Sequence, residues 1–330
     1  MLRSETADAP DRTAAALKGL RAYQSAPRDA GLPPMRAIAQ AGRARLRDYG
    51  GAGPPVIFVP SLINPPDILD LDGQRSLLRW LAGQGFRPLL LDWGFPAADE
   101  RDLSVADHVQ RFLLPLVDQV GPSVTLAGYC LGGTMALAAA ALRPVRGLAL
   151  IATPWRFGSY PAETLRALDQ LWEHAEAACA VLGVMPMEVL QTAFWQLDPG
   201  RPIRKYEAFG ALAPDDRAAR AFVRLEDWAN DGPPLTYGVA RELFVDLFRR
   251  DVTGRRQWRI VGQRIDPASI RAPVLEVTST TDHIAPACSA AGVGARIDLE
   301  LGHVGMIVGR HARRAVWEPL AEWLSRTASS

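Results

Sequence analysis

A lone cysteine between glycines, Gly128-Tyr-Cys130-Leu-Gly132-Gly133, is the most reactive-looking feature of the chain. The β-branched and apolar run from Val124 precedes it, and the alanine-rich stretch Leu131 to Leu142 follows it. Strand, sharp turn and helix in that order form a nucleophile elbow, in which flanking glycines leave room for a strained backbone. A helix N-terminus aimed at the sulfur favours the thiolate, which is the nucleophilic form. A buried structural cysteine in a glycine-rich turn is the competing reading; the order of elements favours the nucleophile. Cysteine also narrows the chemistry. A thiolate that attacks a thioester makes another thioester, so the acyl group stays activated for a further acceptor, whereas serine would hold it as an oxygen ester.

A cysteine nucleophile needs a base and a group to orient that base. Downstream of Cys130 stand His174, His283, His303 and His311. His174 falls in a Glu-rich helical stretch and His311 opens the last helix, so both read as surface residues. His303, in Leu301-Gly-His303-Val-Gly305, sits on a Gly-flanked loop after the last predicted strand and is the candidate base. Asp282, after the strand before that, is the candidate acid; an Asx turn is its other reading. Next to it, His283 either touches substrate or packs beside the turn. Oxyanion stabilisation needs two backbone N–H donors. Leu131, the residue after the nucleophile, supplies one, and Leu62 or Ile63, in the loop after the first buried strand, the other. Asn64 and Asp67 shape that loop, and Asn64, Trp93, Tyr129 and Trp155 join His283 as candidate substrate contacts.

Continuous apolar strands alternating with helices must position these groups. Strands are predicted at 55–59, 88–93, 124–129, 147–152, 273–280 and 295–300, with helices at 76–82, 105–120, 131–142 and 312–325. Residues 35–49 have helical spacing and are predicted to form a helix ended by Gly50-Gly51. Such alternation implies a mostly parallel sheet covered on both faces. Its rhythm breaks between 154 and 255, where aromatic residues recur at helical spacing. Trp172, Phe194, Trp195, Phe209, Trp228, Tyr237, Phe244 and Phe248 read mainly as core, with some lining an apolar pocket. The expected division is an N-terminal arm and helix (1–50), an α/β core (51–153 and 256–330) and an inserted helical cap (154–255) over the strand C-terminal ends, where ligands bind.

Composition excludes several classes. Lys and Arg total 37 against 36 Asp and Glu, a formal net charge of +1, which gives no nucleic-acid footprint. Three cysteines at wide spacing make no disulfide framework and suit a reducing compartment. The polar N-terminus has no apolar signal core, and no window approaches 18 uninterrupted apolar residues, so a cytoplasmic chain without a transmembrane helix is expected. No grouping of His, Cys and Asp has metal-ligand spacing.

The order Cys130, Asp282, His303 on such a frame is that of an α/β-hydrolase fold. Within that fold the chain resembles the polyhydroxyalkanoate synthases, most of all their short, class III catalytic subunit. The resemblance runs from about Pro55 to Leu324. It rests on Phe58-Val-Pro-Ser-Leu-Ile-Asn64, Asp70-Leu71, Leu91-Asp-Trp-Gly94, the Cys130 elbow, Ala152-Thr-Pro-Trp155, Asp227-Trp228, Asp282-His283-Ile-Ala-Pro286 and Gly302-His-Val-Gly305. It implies an acyltransferase that polymerises 3-hydroxyacyl groups from coenzyme A thioesters. Cys130 would carry the acyl chain, His303 would activate the thiol, and Asp282 would assist His303 or the incoming hydroxyl. It implies no cofactor beyond the coenzyme A of the donor. As partners it implies a second, non-catalytic subunit, a polymer granule surface, and a homodimeric or hetero-oligomeric state. Pro65-Pro66-Asp67 stands where the family tends to carry basic and aromatic residues. Two other readings remain open at this level: a cysteine-dependent thioesterase, esterase or polyester depolymerase, and a non-catalytic granule-associated relative.

Overall fold

The computed structural model describes residues 9–197, 200–213 and 216–329. Its frame is an eight-stranded sheet of β1 (Ala37–Ala41), β2 (Ala44–Asp48), β3 (Pro55–Val59), β4 (Arg87–Asp92), β5 (Thr125–Tyr129), β6 (Gly147–Ile151), β7 (Val274–Ser279) and β8 (Ala295–Leu299). The strands lie in the order β1-β2-β4-β3-β5-β6-β7-β8. From β4 onward every pair is parallel, and β2 joins β4 antiparallel. Strands buried on both faces are written as unbroken apolar runs, as in Val56-Ile57-Phe58-Val59, all 1% exposed or less.

The helix expected over 35–49 is a β-hairpin instead. In Ala44-Arg-Leu46-Arg-Asp48 the apolar side chains alternate with charged ones, and Ala44 and Leu46 are fully buried. Gly42, at φ +54°, takes the first place of a two-residue turn that only a residue tolerant of positive φ can fill. The hairpin extends the sheet antiparallel to β4, with Leu46 opposite Leu91.

Helices cover both faces: α2 (Leu77–Gly83), capped by Ser76 Oγ accepting from Arg79 N, and α3, a continuous helical stretch over 105–120 that carries one π turn at Val109–Leu113. The helix after the elbow, α4 (Leu131–Leu142), is buried from Leu131 through Ala140. Its alanines let it lie close on the sheet. The chain closes on a helix over Glu318–Ser329.

Between β6 and β7 the chain leaves the sheet and becomes helical. This segment includes α5 (Ala162–Leu182), α6 (Met187–Leu197), α7 (Gly200–Phe209), α8 (Arg217–Asn230) and a helical run over 237–249. The side chains of Phe194 and Trp195 lie outside the described residues. The N-terminal helix α1 (Pro10–Ser25) packs on this segment. A Cβ on Gly19 would stand 1.8 Å from Tyr206 O, so the two helices cross almost backbone to backbone. Arg12 pairs with Glu207 at 2.8 Å, and Tyr23 donates to Asp227 at 2.6 Å.

Candidate active site

Cys130 caps the N-terminus of α4 with φ 56° and ψ −132°, a conformation L-residues rarely adopt. Its N–H is held by Ile151 O at 3.0 Å and its carbonyl by Gly133 N at 2.9 Å. The glycines are required by close approach. A Cβ on Gly128 would lie 2.3 Å from Gly133 Cα, one on Gly132 2.1 Å from Val59 O, and one on Gly133 1.8 Å from Thr153 Oγ1. The turn therefore pushes the Cys130 side chain, half-buried, into a cavity of about 280 Å³.

The structure brings His303 and Asp282 to the same cavity. They leave the ends of β8 and β7, neighbouring parallel strands that deliver their loops to the same sheet edge. His303 Nδ1 meets Asp282 Oδ2 at 2.7 Å, and both residues are at most 5% exposed. Asp282 Oδ1 accepts from Ile284 N at 2.8 Å and Ala285 N at 3.0 Å. These N–H bonds, of the kind that closes an Asx turn, fix the carboxylate that orients the imidazole, so the two readings of Asp282 are compatible. Burial disfavours a charge on His303, but the neighbouring Cys130 thiolate and then the Asp282 carboxylate outweigh it and raise the imidazolium to about 10. Tyr129 lies against this pair with ring centroids 5.1 Å apart, and its hydroxyl donates to His303 O at 3.3 Å.

The loop after β3 supplies the other wall. Ile63 N–H donates to Ser61 Oγ at 3.1 Å, which occupies it. Leu62 N–H makes no hydrogen bond among the described residues, and Leu131 N–H is one of the unpaired donors that begin every helix. Leu62 turns its side chain into a neighbouring recess, whereas Ile63 faces the cavity. Asn64, at φ 65°, does more than shape the turn. Its Nδ2 donates to Ala229 O and Asp231 O, both at 3.1 Å, at the C-terminal end of α8. Trp228 returns the contact, donating Nε1–H to Pro65 O at 2.8 Å.

The remaining cavity lining is mainly apolar, including Leu190, Leu243, Phe244 and Phe248 from the inserted helices. Among the candidate substrate contacts, Asn64, Tyr129 and the exposed His283 reach this cavity. Trp93 and Trp155 do not. Trp93 is 4% exposed and donates Nε1–H to Pro60 O at 3.1 Å, so it braces the loop from behind. Trp155 is packed at 2% exposure against Trp258, with ring centroids 6.0 Å apart. Each indole is spent on the core because its N–H or ring has a buried partner there.

The sequence profile of the α/β-hydrolase fold matches residues 54–299. The chain belongs to the α/β-hydrolase fold family. Among curated proteins this hydrolase-fold chain is 27% identical to the poly(3-hydroxyalkanoate) polymerase subunit PhaC of Haloferax mediterranei, over 99% of this chain and 70% of that one. It is 28% identical to the protein of the same name from Allochromatium vinosum, over 90% of each. Among solved structures, a putative aryl esterase from Burkholderia cenocepacia superposes with a TM-score of 0.53 at 12% identity, over 89% of this chain and all of that one. That likeness concerns the fold alone.

Within the hydrolase fold the arrangement can form and resolve an acyl–sulfur bond: a sulfur on a helix N-terminus and an imidazole held by a carboxylate. Sequence reading gives no role to Ser61, Lys205 or Glu226 at the site, and counts Trp228 only among the aromatic residues that form core or pocket lining. Glu226 is 6% exposed and paired with Lys205 in the cavity wall. Lys205 is one of two lysines in a chain that otherwise uses arginine, which is the available signal.

Proposed function

We propose that the chain is an acyltransferase of the polyhydroxyalkanoate synthase type, which extends a polyester from 3-hydroxyacyl-coenzyme A through an acyl group on Cys130. The single observation that carries this reading is a cysteine, not a serine, at the elbow of an apolar cavity, beside an imidazole raised to about 10. The names of the relatives, poly(3-hydroxyalkanoate) polymerase subunit, support the same choice.

In the first half-reaction the Cys130 thiolate attacks the carbonyl carbon of the donor. Leu131 and Leu62 N–H receive the developing oxyanion. The bond to coenzyme A breaks, and its thiolate takes the proton of His303. Acylation neutralises the sulfur and so removes the largest of the influences that raise His303. The imidazole becomes a general base at the moment a base is needed. In the second half-reaction a chain-end hydroxyl attacks the Cys130 thioester, its proton passes to His303, and Cys130 leaves as thiolate. Asp282 holds the imidazole throughout. The apolar wall disfavours water as the competing acceptor. In this reading His283, exposed and among the residues that line the cavity, contacts the donor. A second synthase subunit, a granule surface and a cytoplasmic location belong to the same reading. No helix among the described residues is long and apolar enough to cross a membrane.

Purified protein given 3-hydroxybutyryl-coenzyme A, with and without a candidate second subunit, is expected to release coenzyme A and deposit insoluble polymer. Release of coenzyme A with only free hydroxy acid as product would replace the synthase reading by a hydrolase. Cys130→Ser discriminates further: loss of thioester exchange should cost a synthase about two orders of magnitude or more, about 3 kcal/mol of barrier.

A further inference from the structure

A second and larger cavity, of about 1080 Å³, lies on the other side of α8 from the Cys130 cavity, and its walls are cationic. Eight arginines line it against three aspartates. Arg217, Arg220 and Arg224 form a stripe on one face of α8. Arg310 and Arg313 come from the C-terminal segment, and Arg75 from the loop before α2. Five of the eight are paired with carboxylates: Arg28 with Asp227 at 3.2 Å, Arg75 with Asp72 at 2.6 Å, Arg79 with Asp70 at 2.8 Å, Arg224 with Asp67 at 3.4 Å and Arg313 with Glu318 at 3.4 Å. Arg217 makes no ion pair among the described residues and Arg310 donates to His311 Nε2 at 2.9 Å, so these two guanidinium groups are the ones left to meet an anion. In a chain of net charge +1, this is a local concentration and not a property of the whole surface. Trp80, half-buried, adds an aromatic ring to the same wall, with the Arg313 guanidinium 5.5 Å from its centroid.

The two cavities are neighbours through α8. Its other face presents Leu225, Trp228 and Ala229 to the Cys130 cavity. A recess borders both, where Arg224 and Asp227 of the cationic cavity stand beside Pro65, Trp228 and Asn230 of the catalytic one. Planar guanidinium forks suit phosphate oxygens, and an aromatic ring suits a purine.

We propose that the cationic cavity holds the phosphorylated adenine nucleotide end of the acyl donor while its thiol-bearing arm passes Trp228 to reach Cys130. The proposal rests on the thioester reading of Cys130. The test uses the full chain and two donors, 3-hydroxybutyryl-coenzyme A and 3-hydroxybutyryl-N-acetylcysteamine, which keeps the thioester but has no nucleotide. The double variant Arg217→Glu/Arg310→Glu should lower the ratio of kcat/KM for the first donor over the second by at least about tenfold, the size of one charge-assisted hydrogen bond. An unchanged ratio overturns the proposal. Independently of any variant, adenosine 3′,5′-bisphosphate should inhibit the wild-type chain competitively against the coenzyme A ester and not against the truncated one; equal inhibition of both, or of neither, overturns it. If neither thioester is turned over, the synthase reading is what has failed. Calorimetric binding of coenzyme A then decides this proposal, supported by about tenfold weaker binding in the double variant and overturned by equal binding.

Discussion

Asn64 ties the loop that carries Leu62, one of the two proposed oxyanion donors, to the end of α8, and the strength of that tie follows from its geometry. An amide nitrogen has two hydrogens, and the two acceptors at 3.1 Å, Ala229 O and Asp231 O, take them. Two hydrogen bonds contribute about 1 kcal/mol each. Asn64 also occupies φ 65°, a conformation that costs alanine roughly 1–2 kcal/mol but glycine almost nothing. Asn64→Ala should therefore destabilise by about 3–4 kcal/mol, and Asn64→Gly by about 2–3 kcal/mol, with part of that loss coming from added freedom of the unfolded chain. Asn64→Asp keeps the size and tolerates the backbone, but aims carboxylate oxygens at carbonyl oxygens and should be no better than alanine. Urea unfolding of wild type and the three variants, followed by tryptophan fluorescence, gives the ranking. Coenzyme A release measured on the same samples in the absence of denaturant should fall in kcat more than it rises in KM, because the loop holding Leu62 is loosened. An Asn64→Asp variant as stable as wild type would refute the donor role of Asn64, and equal stability of the alanine and glycine variants would refute the backbone term.

Two further outcomes follow from the same site. The folded pKa of His303 lies above its unfolded value of 6.5, so the imidazolium's contribution to stability is complete below about pH 6.5 and is lost as pH rises through about 10. The burst of coenzyme A release should lose its proton donor on the same alkaline limb, centred near 10, and His303→Gln should abolish that limb in a stopped-flow pH profile. Iodoacetamide at neutral pH should alkylate Cys130 well before Cys179, which is buried and whose thiol is pushed up by that burial; mass spectrometry showing Cys179 modified first would count against the site's geometry.

The sheet and the Cys130–Asp282–His303 grouping are legible in the sequence because each is written in local chemistry: glycines where backbones touch, apolar runs where both faces are covered, and polar residues at strand ends. Residues 35–49 pass for a helix because Met35, Ile38, Ala39 and Leu46 recur at helical spacing, while the deciding signals are Gly42 at the turn and the Arg45/Arg47 alternation. Trp93 and Trp155 are expected at the substrate and turn to the core instead; which way an indole turns depends on a buried acceptor or ring that only the assembled fold supplies, Pro60 O for one and Trp258 for the other. The Asn64–α8 tie joins residues about 165 positions apart, and no local pattern announces such a bond.

The crowding around the elbow also bears on how such a site can change over generations. Positions 128, 132 and 133 each meet backbone or a buried threonine at distances no side chain can share, and residue 130 sits at a φ that penalises β-branching. Threonine is thereby a poor replacement nucleophile, and drift at the neighbouring positions is closed. What stays open is the exchange of sulfur for oxygen at one atom, which a single base change can make. Conversion between a thiol-based and a hydroxyl-based enzyme on this scaffold is then a short step in sequence, with the substrate adaptation left to the inserted helices that line the cavity.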